Sequence, residues 1–263
     1  MSDSTKYTSK LKGKNILIVG GSAGIGYGVA EACLEHGASV TISSSSQSRV
    51  DNAVSKLLSS YPSAKSRLAG HAYSMADQST LESNIVSLLD KATSSGKLDH
   101  IVWTAGDPLA IMPLSELTIE KVQQAGMVRF FGPLMMGKHA TKHLNPGPES
   151  SITLTTGSVS ERPIPGWAAP AGFATALHGL NRGLALDLKP IRCNLISPGA
   201  VDTDLWAGMS KEEKDRRFKY FSEKSTTGVV GKAEDVAEAY LYVMRDKNVS
   251  GSLISTNSGA LLV

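Results

Sequence analysis

Asn15-Ile16-Leu17-Ile18-Val19 runs directly into Gly20-Gly21-Ser22-Ala23-Gly24-Ile25-Gly26. After Asn15 the first stretch is apolar without polar alternation, the pattern of a parallel strand covered on both faces. Gly20 permits a tight turn, Gly24 lets backbone approach a phosphate, and Gly26 lets a helix pack on the strand. A helical pattern opens at Gly24 and stops at Gly37. A helix that starts here offers unpaired N–H groups and a positive dipole end to an anion. Strand, turn and helix together predict a pyrophosphate cradle, with Ser22 and Ile25 inside it, and hence a dinucleotide site.

Outward from this turn, strand and helix signals alternate almost to residue 263. Strands are expected at 15–19, 39–43, 68–73, 98–104, 152–156, 192–196 and 252–256. Helices are expected at 24–36, 47–60, 79–93, 118–143, 171–188, 210–224 and 233–245. This alternation predicts an α/β fold: a single Rossmann-type, doubly wound parallel sheet of about seven strands with helices on both faces. No repeat or linker interrupts it, so residues 1–263 are expected to form one domain, a size that suits one.

Composition narrows the function classes. With 41% hydrophobic and 19% charged residues the chain is expected to be globular rather than disordered. The net charge of +3 comes from 27 basic and 24 acidic residues that are interspersed. Even the densest basic stretch, Lys211 to Lys219, is interrupted by acids, so no nucleic-acid partner is expected. No run approaches the roughly 18 apolar residues of a membrane span. Two distant cysteines, Cys33 and Cys193, and a polar segment 1–12 without a secretory apolar stretch fit a reducing, cytoplasmic location.

The end of the second strand selects the dinucleotide. A site for an unphosphorylated ribose would place Asp or Glu about 20 residues beyond the first glycine. Residues 43–49 contain no acid; they offer the hydroxyls of Ser44, Ser45 and Ser46 and the guanidinium of Arg49. Such groups suit a 2′-phosphate, so NADP(H) is the expected cofactor.

The order of motifs resembles the short-chain dehydrogenase/reductase family over nearly the whole chain. The family's glycine pattern stands as Gly20, Gly24 and Gly26, its Asn-Ala-Gly element as Thr104-Ala105-Gly106, and its Pro-Gly turn lies within residues 194–203. The resemblance implies that Ala105, Gly106, Pro198, Gly199, Val201 and Thr203 border the cofactor. The catalytic positions depart from the family. Aligning Pro165-Gly166-Trp167 puts Pro170 at the family's Tyr position and Ala174 at its Lys position, with Gly157 or Ser158 at its Ser position. The helix from Ala171 holds neither Tyr nor Lys before Lys189, so a small alignment slip does not restore the pair. The family's structural Asn falls at Arg129.

Arg129 cannot act as an acid, since its pKa exceeds about 12. It is expected either to hold an anionic oxygen or to pair with Glu161, Asp107 or the cofactor. Ser158 is the remaining hydroxyl at the reacting centre. Asp107, Trp167, Pro170 and Trp206 are the candidate pocket residues; Trp206 also reads as packing, as does Trp103, and Trp167 reads either as a wall for a flat or cationic substrate or as a core or interface residue. Two Tyr-x-x-x-Lys strings, Tyr61 to Lys65 and Tyr220 to Lys224, are read as chance spacings, with Tyr220 in the segment that usually forms a lid. His139 and His143 have metal-ligand spacing, but Lys138 and Lys142 flank them and no metal site is expected.

Arg129, Asp107-Pro108-Leu109 and the Trp167/Pro170 pair together resemble a fungal branch of the family that serves prenylated indole alkaloid pathways. That branch combines NADPH-dependent iminium reduction with intramolecular Diels–Alder cyclisation, and carries an Asp where this chain has Ile164. The expected function is therefore NADP(H)-dependent reduction of an iminium or an activated C=C/C=O group of a small secondary metabolite, with or without cyclisation. The alternatives are a pericyclase or isomerase that uses the cofactor as scaffold, and a non-catalytic NADP(H)-binding protein. A homo-oligomer, tetramer or dimer, is expected, built on the 118–143 helix and the apolar stretch 260–263.

Overall fold

The structure, a computed structural model, describes residues 4–263. The chain runs β1 (Asn15–Val19), α1 (Gly24–Glu35), β2 (Ser39–Ser44), α2 (Gln47–Ser60), β3 (Leu68–Ala72), α3 (Leu81–Ala92) and β4 (His100–Trp103). It continues through α4 (Ile119–Gly126), α5 (Gly132–His143), β5 (Ser151–Thr155), α6 (Ala168–Asp187), β6 (Arg192–Pro198) and β7 (Val201–Asp202). It closes with α7 (Lys211–Glu223), β8 (Gly231–Lys232), α8 (Ala233–Arg245) and β9 (Leu253–Thr256).

Seven strands form one sheet in the order β3-β2-β1-β4-β5-β6-β9, and every neighbouring pair is parallel. The expected doubly wound fold is borne out. Strand β1 shows why its run is apolar throughout: Ile16 and Ile18 enter the core on the α1/α8 face, while Leu17 and Val19 enter the opposite core with α3 and α5. The order reverses beside β1, where the chain leaves toward β2 and later returns at β4. In such sheets the crevice at the carboxyl ends of these strands is the ligand site.

Three boundaries differ from the sequence reading in ways that bear on that crevice. The 118–143 helix is interrupted by a π-helical turn, Met127–Phe131, in which Gly132 N–H donates to the Met127 carbonyl five residues back. Trp103 explains the wider turn. Its indole N–H donates to the Val128 carbonyl at 3.1 Å, and its ring fills the space a Cβ on Gly132 would need, 2.5 Å away. Helix α6 begins at Ala168 rather than 171, so Pro170 sits in its first turn, where a missing N–H costs no helical bond. Strand β6 extends to Pro198, which carries the Pro-Gly turn beyond the sheet edge.

Candidate functional site

The cradle after β1 is held by close approaches that only glycine permits. Gly20 has φ +92°, and a Cβ there would lie 2.5 Å from the Ala105 backbone nitrogen. A Cβ on Gly26 would collide with the Gly20 carbonyl and the Thr104 hydroxyl. Thr104, at the family's Asn position, donates from its hydroxyl to the Val19 and Gly20 carbonyls at 3.1 and 3.3 Å, tying β4 to the turn. Ala23 precedes α1 in an extended conformation with no side-chain cap, and the first turn holds no acid. The first N–H groups of α1 thus point into the crevice without a side-chain acceptor, which fits a pyrophosphate. Gly24, at φ +53°, faces Thr203, whose Cβ lies 3.1 Å from where a Gly24 Cβ would stand. Thr203, which follows β7, therefore borders the cradle at Gly24.

The candidate 2′-phosphate end lies at β2. The Ser22 hydroxyl donates to Ser44 at 2.8 Å, joining cradle and strand end. Ser46 precedes α2 without capping it, and the first turn of α2 carries no acid. Ser45 and Arg49 are exposed, and Arg49 has no ion-pair partner among the described residues. Hydroxyls and a guanidinium thus stand at an uncapped helix start whose first turn holds no acid, and the Asp51 carboxylate one turn on accepts from the Gln47 amide at 2.8 Å.

Arg129 lies at the middle of the π-helical turn, a kind of distortion that favours functional sites. Of the partners open to it, it takes Asp107: Nε lies 3.2 Å from Oδ1, and Nη2 donates to the Asp107 carbonyl. Its guanidinium covers Gly106, where a Cβ would come within 2.8 Å of Nη2. Burial pushes the Asp107 carboxyl up and the Arg129 guanidinium down, each partly offset by the other's charge. Arg129 thus braces the loop after β4 from behind.

Where the family places its Tyr and Lys, α6 presents no titratable group. Pro170 is buried, and the Ala174 carbonyl accepts from Thr156 Oγ1 at 2.7 Å. Phe173, between them, packs with Phe130 and Phe131 at centroid distances of 6.1 and 6.4 Å.

Two connected clefts flank this centre. One of about 230 Å³ is lined by Ile164, Trp167, Arg216, Arg217, Tyr220 and Phe221. The other, about 190 Å³, shares Ile164, Tyr220 and Phe221 and reaches Ser158, Arg162 and Lys224. Ser158 and Trp167 are thus cleft residues. Asp107 and Pro170 line neither cleft: one is turned to Arg129 and the other is packed inside α6. Trp206 is corrected as well. It is 7% exposed, donates to the Val201 carbonyl at 2.8 Å, and packs beneath Phe218 and Phe221 as the seat of α7.

Tyr220 lines both clefts, so its ring borders the space although its Tyr-x-x-x-Lys spacing is not a catalytic signature. Arg162, Ile164, Arg216, Arg217 and Lys224 were missed; their one signal was the cluster of cations on an otherwise ordinary amphipathic pattern. Tyr61 lies away from the crevice, donating to Glu35 at 2.8 Å. His139 and Lys138 are not a free basic face, since both contact the Glu82 carboxylate, at 2.7 and 2.6 Å.

A family model described as an SDR-like rossmann domain matches residues 7–263. The chain is 44% identical to short-chain dehydrogenase/reductase fsr5 of Gibberella fujikuroi, covering 98% of each chain. Its fold matches the MalC reductase/Diels-Alderase of Malbranchea aurantiaca with a TM-score of 0.92 and 38% identity, over 97% of this chain and 99% of that one. It also matches a small-chain dehydrogenase solved in complex with NADPH, with a TM-score of 0.76 and 25% identity, over 96% of this chain and 100% of that one. The glycine cradle, the parallel sheet and these matches agree: the chain belongs to the short-chain dehydrogenase/reductase family, oxidoreductases that use a nicotinamide cofactor.

Proposed function

We propose that the protein is an NADP(H)-dependent oxidoreductase of secondary metabolism. Its substrate is an electrophile that needs no proton from the protein during reduction: an iminium ion, or a C=C or C=O activated by its own substituents. One observation carries this reading. The α6 positions that align with the family's Tyr and Lys are Pro170 and Ala174, neither of which can give or take a proton. A simple ketone becomes an alkoxide on reduction and needs a positioned acid; an iminium becomes a neutral amine, and an activated acceptor spreads its new charge.

The bound cofactor supplies the hydride. The chain's own residues do the rest. Gly20, Ser22, Gly24, Ile25 and Gly26 cradle the pyrophosphate, while Ser44, Ser45, Ser46 and Arg49 take the 2′-phosphate. Ala105, Gly106, Pro198, Gly199, Val201 and Thr203 border the nicotinamide half. Arg129 and Asp107 position the Gly106 loop, and Ser158 offers a hydrogen bond to a substrate oxygen. The likeness of the whole chain to MalC, a reductase/Diels-Alderase, supports a second reading in which the bound cofactor only shapes a pocket for cyclisation.

The test is NADPH oxidation with three probes: an N-methyl dihydroisoquinolinium ion, a naphthoquinone and a plain aryl ketone. Turnover of either activated probe with little of the plain ketone, and no pH limb near a tyrosine pKa, is expected. Efficient reduction of the plain ketone with such a limb overturns the reading. Product that forms equally with NADP⁺ favours the cyclase.

A further inference from the structure

We infer that the cleft beneath α7 takes a planar aromatic anion, an aryl carboxylate or an ionised acidic phenol, and disfavours cations. This deepens the proposed function and rests on its reading of the cleft as the substrate site. Four cations line the two connected spaces: Arg216 and Arg217 in the one, Arg162 and Lys224 in the other. No Asp or Glu lines either of them among the described residues.

The cations differ in how far they are already neutralised. Arg217 shares Glu213 at 3.4 Å, and Arg162 donates to the Ala260 carbonyl at 2.9 Å and to that of Val263. Arg216 and Lys224 have no ion-pair partner among the described residues. A concave site with one sign of charge and low-dielectric walls concentrates the field on whatever enters. The walls here are aromatic. Trp167, Tyr220 and Phe221 offer faces and edges to a flat ring, and Trp206 supports Phe221 from below at 5.8 Å.

Ile164 decides the sign. It lines both clefts, 40% exposed, and brings no charge to the wall between the cations. A carboxylate there would hold a cation against the aromatic wall. An isoleucine leaves Arg216 and Lys224 without an opposing charge among the described residues. An iminium ion would therefore meet a positive field, and among the electrophiles proposed above the cleft selects the activated C=C or C=O.

Calorimetry on the full chain loaded with NADP⁺ tests this without turnover. The probes are 2-naphthoate, 4-nitro-1-naphthol ionised at the assay pH, neutral 2-naphthalenemethanol and cationic 2-naphthylmethylammonium. At least one aryl anion is expected to bind roughly tenfold or more tighter than the neutral probe, and to weaken with added salt. Which anion binds tighter assigns the group as carboxylate or phenolate. Arg216→Gln with Arg217→Gln should remove most of that preference, read as the ratio of anion to neutral-probe affinity in the same variant. Ile164→Asp should turn the preference toward the cation. Equal affinities, a preference for the cation, or an anion preference that survives the double substitution overturns the inference. Because no hydride moves in this measurement, anion selectivity stands or falls separately from the NADPH-oxidation test.

Discussion

Arg129 is a cation folded onto the loop it supports, and its surroundings set what its loss should do. Arg129→Ala would leave the Asp107 carboxyl half-buried and unpaired, with its pKa already pushed up by burial. A fully buried broken pair costs about 3–5 kcal/mol, and the partial exposure here lowers that to roughly 1–3. Urea unfolding should show this loss, and adding Asp107→Ala should restore part of it. If the single variant is as stable as the parent, the pair is not what holds the loop. Arg49→Ala should weaken NADPH binding by about 1.5–3 kcal/mol while leaving NADH nearly unchanged, as titration of both cofactors would reveal. Equal losses for the two would move the 2′-phosphate elsewhere. Tyr220→Phe keeps the ring that lines both clefts and removes only the hydroxyl. Single-turnover hydride transfer should then stay close to the parent rate across pH, and its abolition would make Tyr220 the proton donor.

The elements were legible to different degrees, and the reasons are physical. Helices α2 and α8 match their expected limits because amphipathic periodicity and flanking breakers agree. The π-helical turn was invisible because it answers to Trp103, a residue on another strand, and not to any local pattern. The cradle was legible because its glycines must lie within one turn, whereas the cleft is assembled from the 158–167 loop, α7 and residues 257–261, far apart in sequence. Strand β4 carries a consequence that its sequence did not announce. His100 is fully enclosed beside Ser151, 2.9 Å from its hydroxyl, and burial pushes its pKa down to about 3. In the unfolded chain the ring titrates near 6.5. Between those values the unfolded state binds a proton that the folded state does not. Stability is thus full above about pH 6.5 and is lost as the pH falls toward 3, by a few kcal/mol at roughly 1.4 kcal/mol per unit. His100→Gln should flatten that slope in urea titrations run at a series of pH values. An unchanged slope would assign the acid sensitivity to other groups.

At the scale of the whole molecule, the surface that an oligomer would bury differs from the one the sequence suggested. The stretch 260–263 is partly held by Arg162, which donates to the Ala260 and Val263 carbonyls, leaving mainly Leu262 outside. Helix α6 presents the better face. Gly172, Gly179 and Gly183 have open space where a Cβ would stand, and Leu186, 71% exposed, follows them one turn on. Their spacings of seven, four and three residues keep all four on one side of the helix. Small residues let a second backbone approach closely, and the exposed leucine supplies apolar area that water otherwise surrounds. Trp167, which lines one cleft, immediately precedes this helix, so pairing α6 with a second copy would also stiffen that wall. We expect a homo-oligomer at micromolar concentration by light scattering. Leu186→Glu places a charge on that face and should shift the mass toward monomer without lowering NADPH affinity, because Leu186 lies near the end of α6, far from the cradle that follows β1. A monomeric parent would refute the oligomer outright. A Leu186→Glu variant that keeps the parent's mass would move the interface off α6 and return it to the 118–143 segment, where Ile119 is 70% exposed.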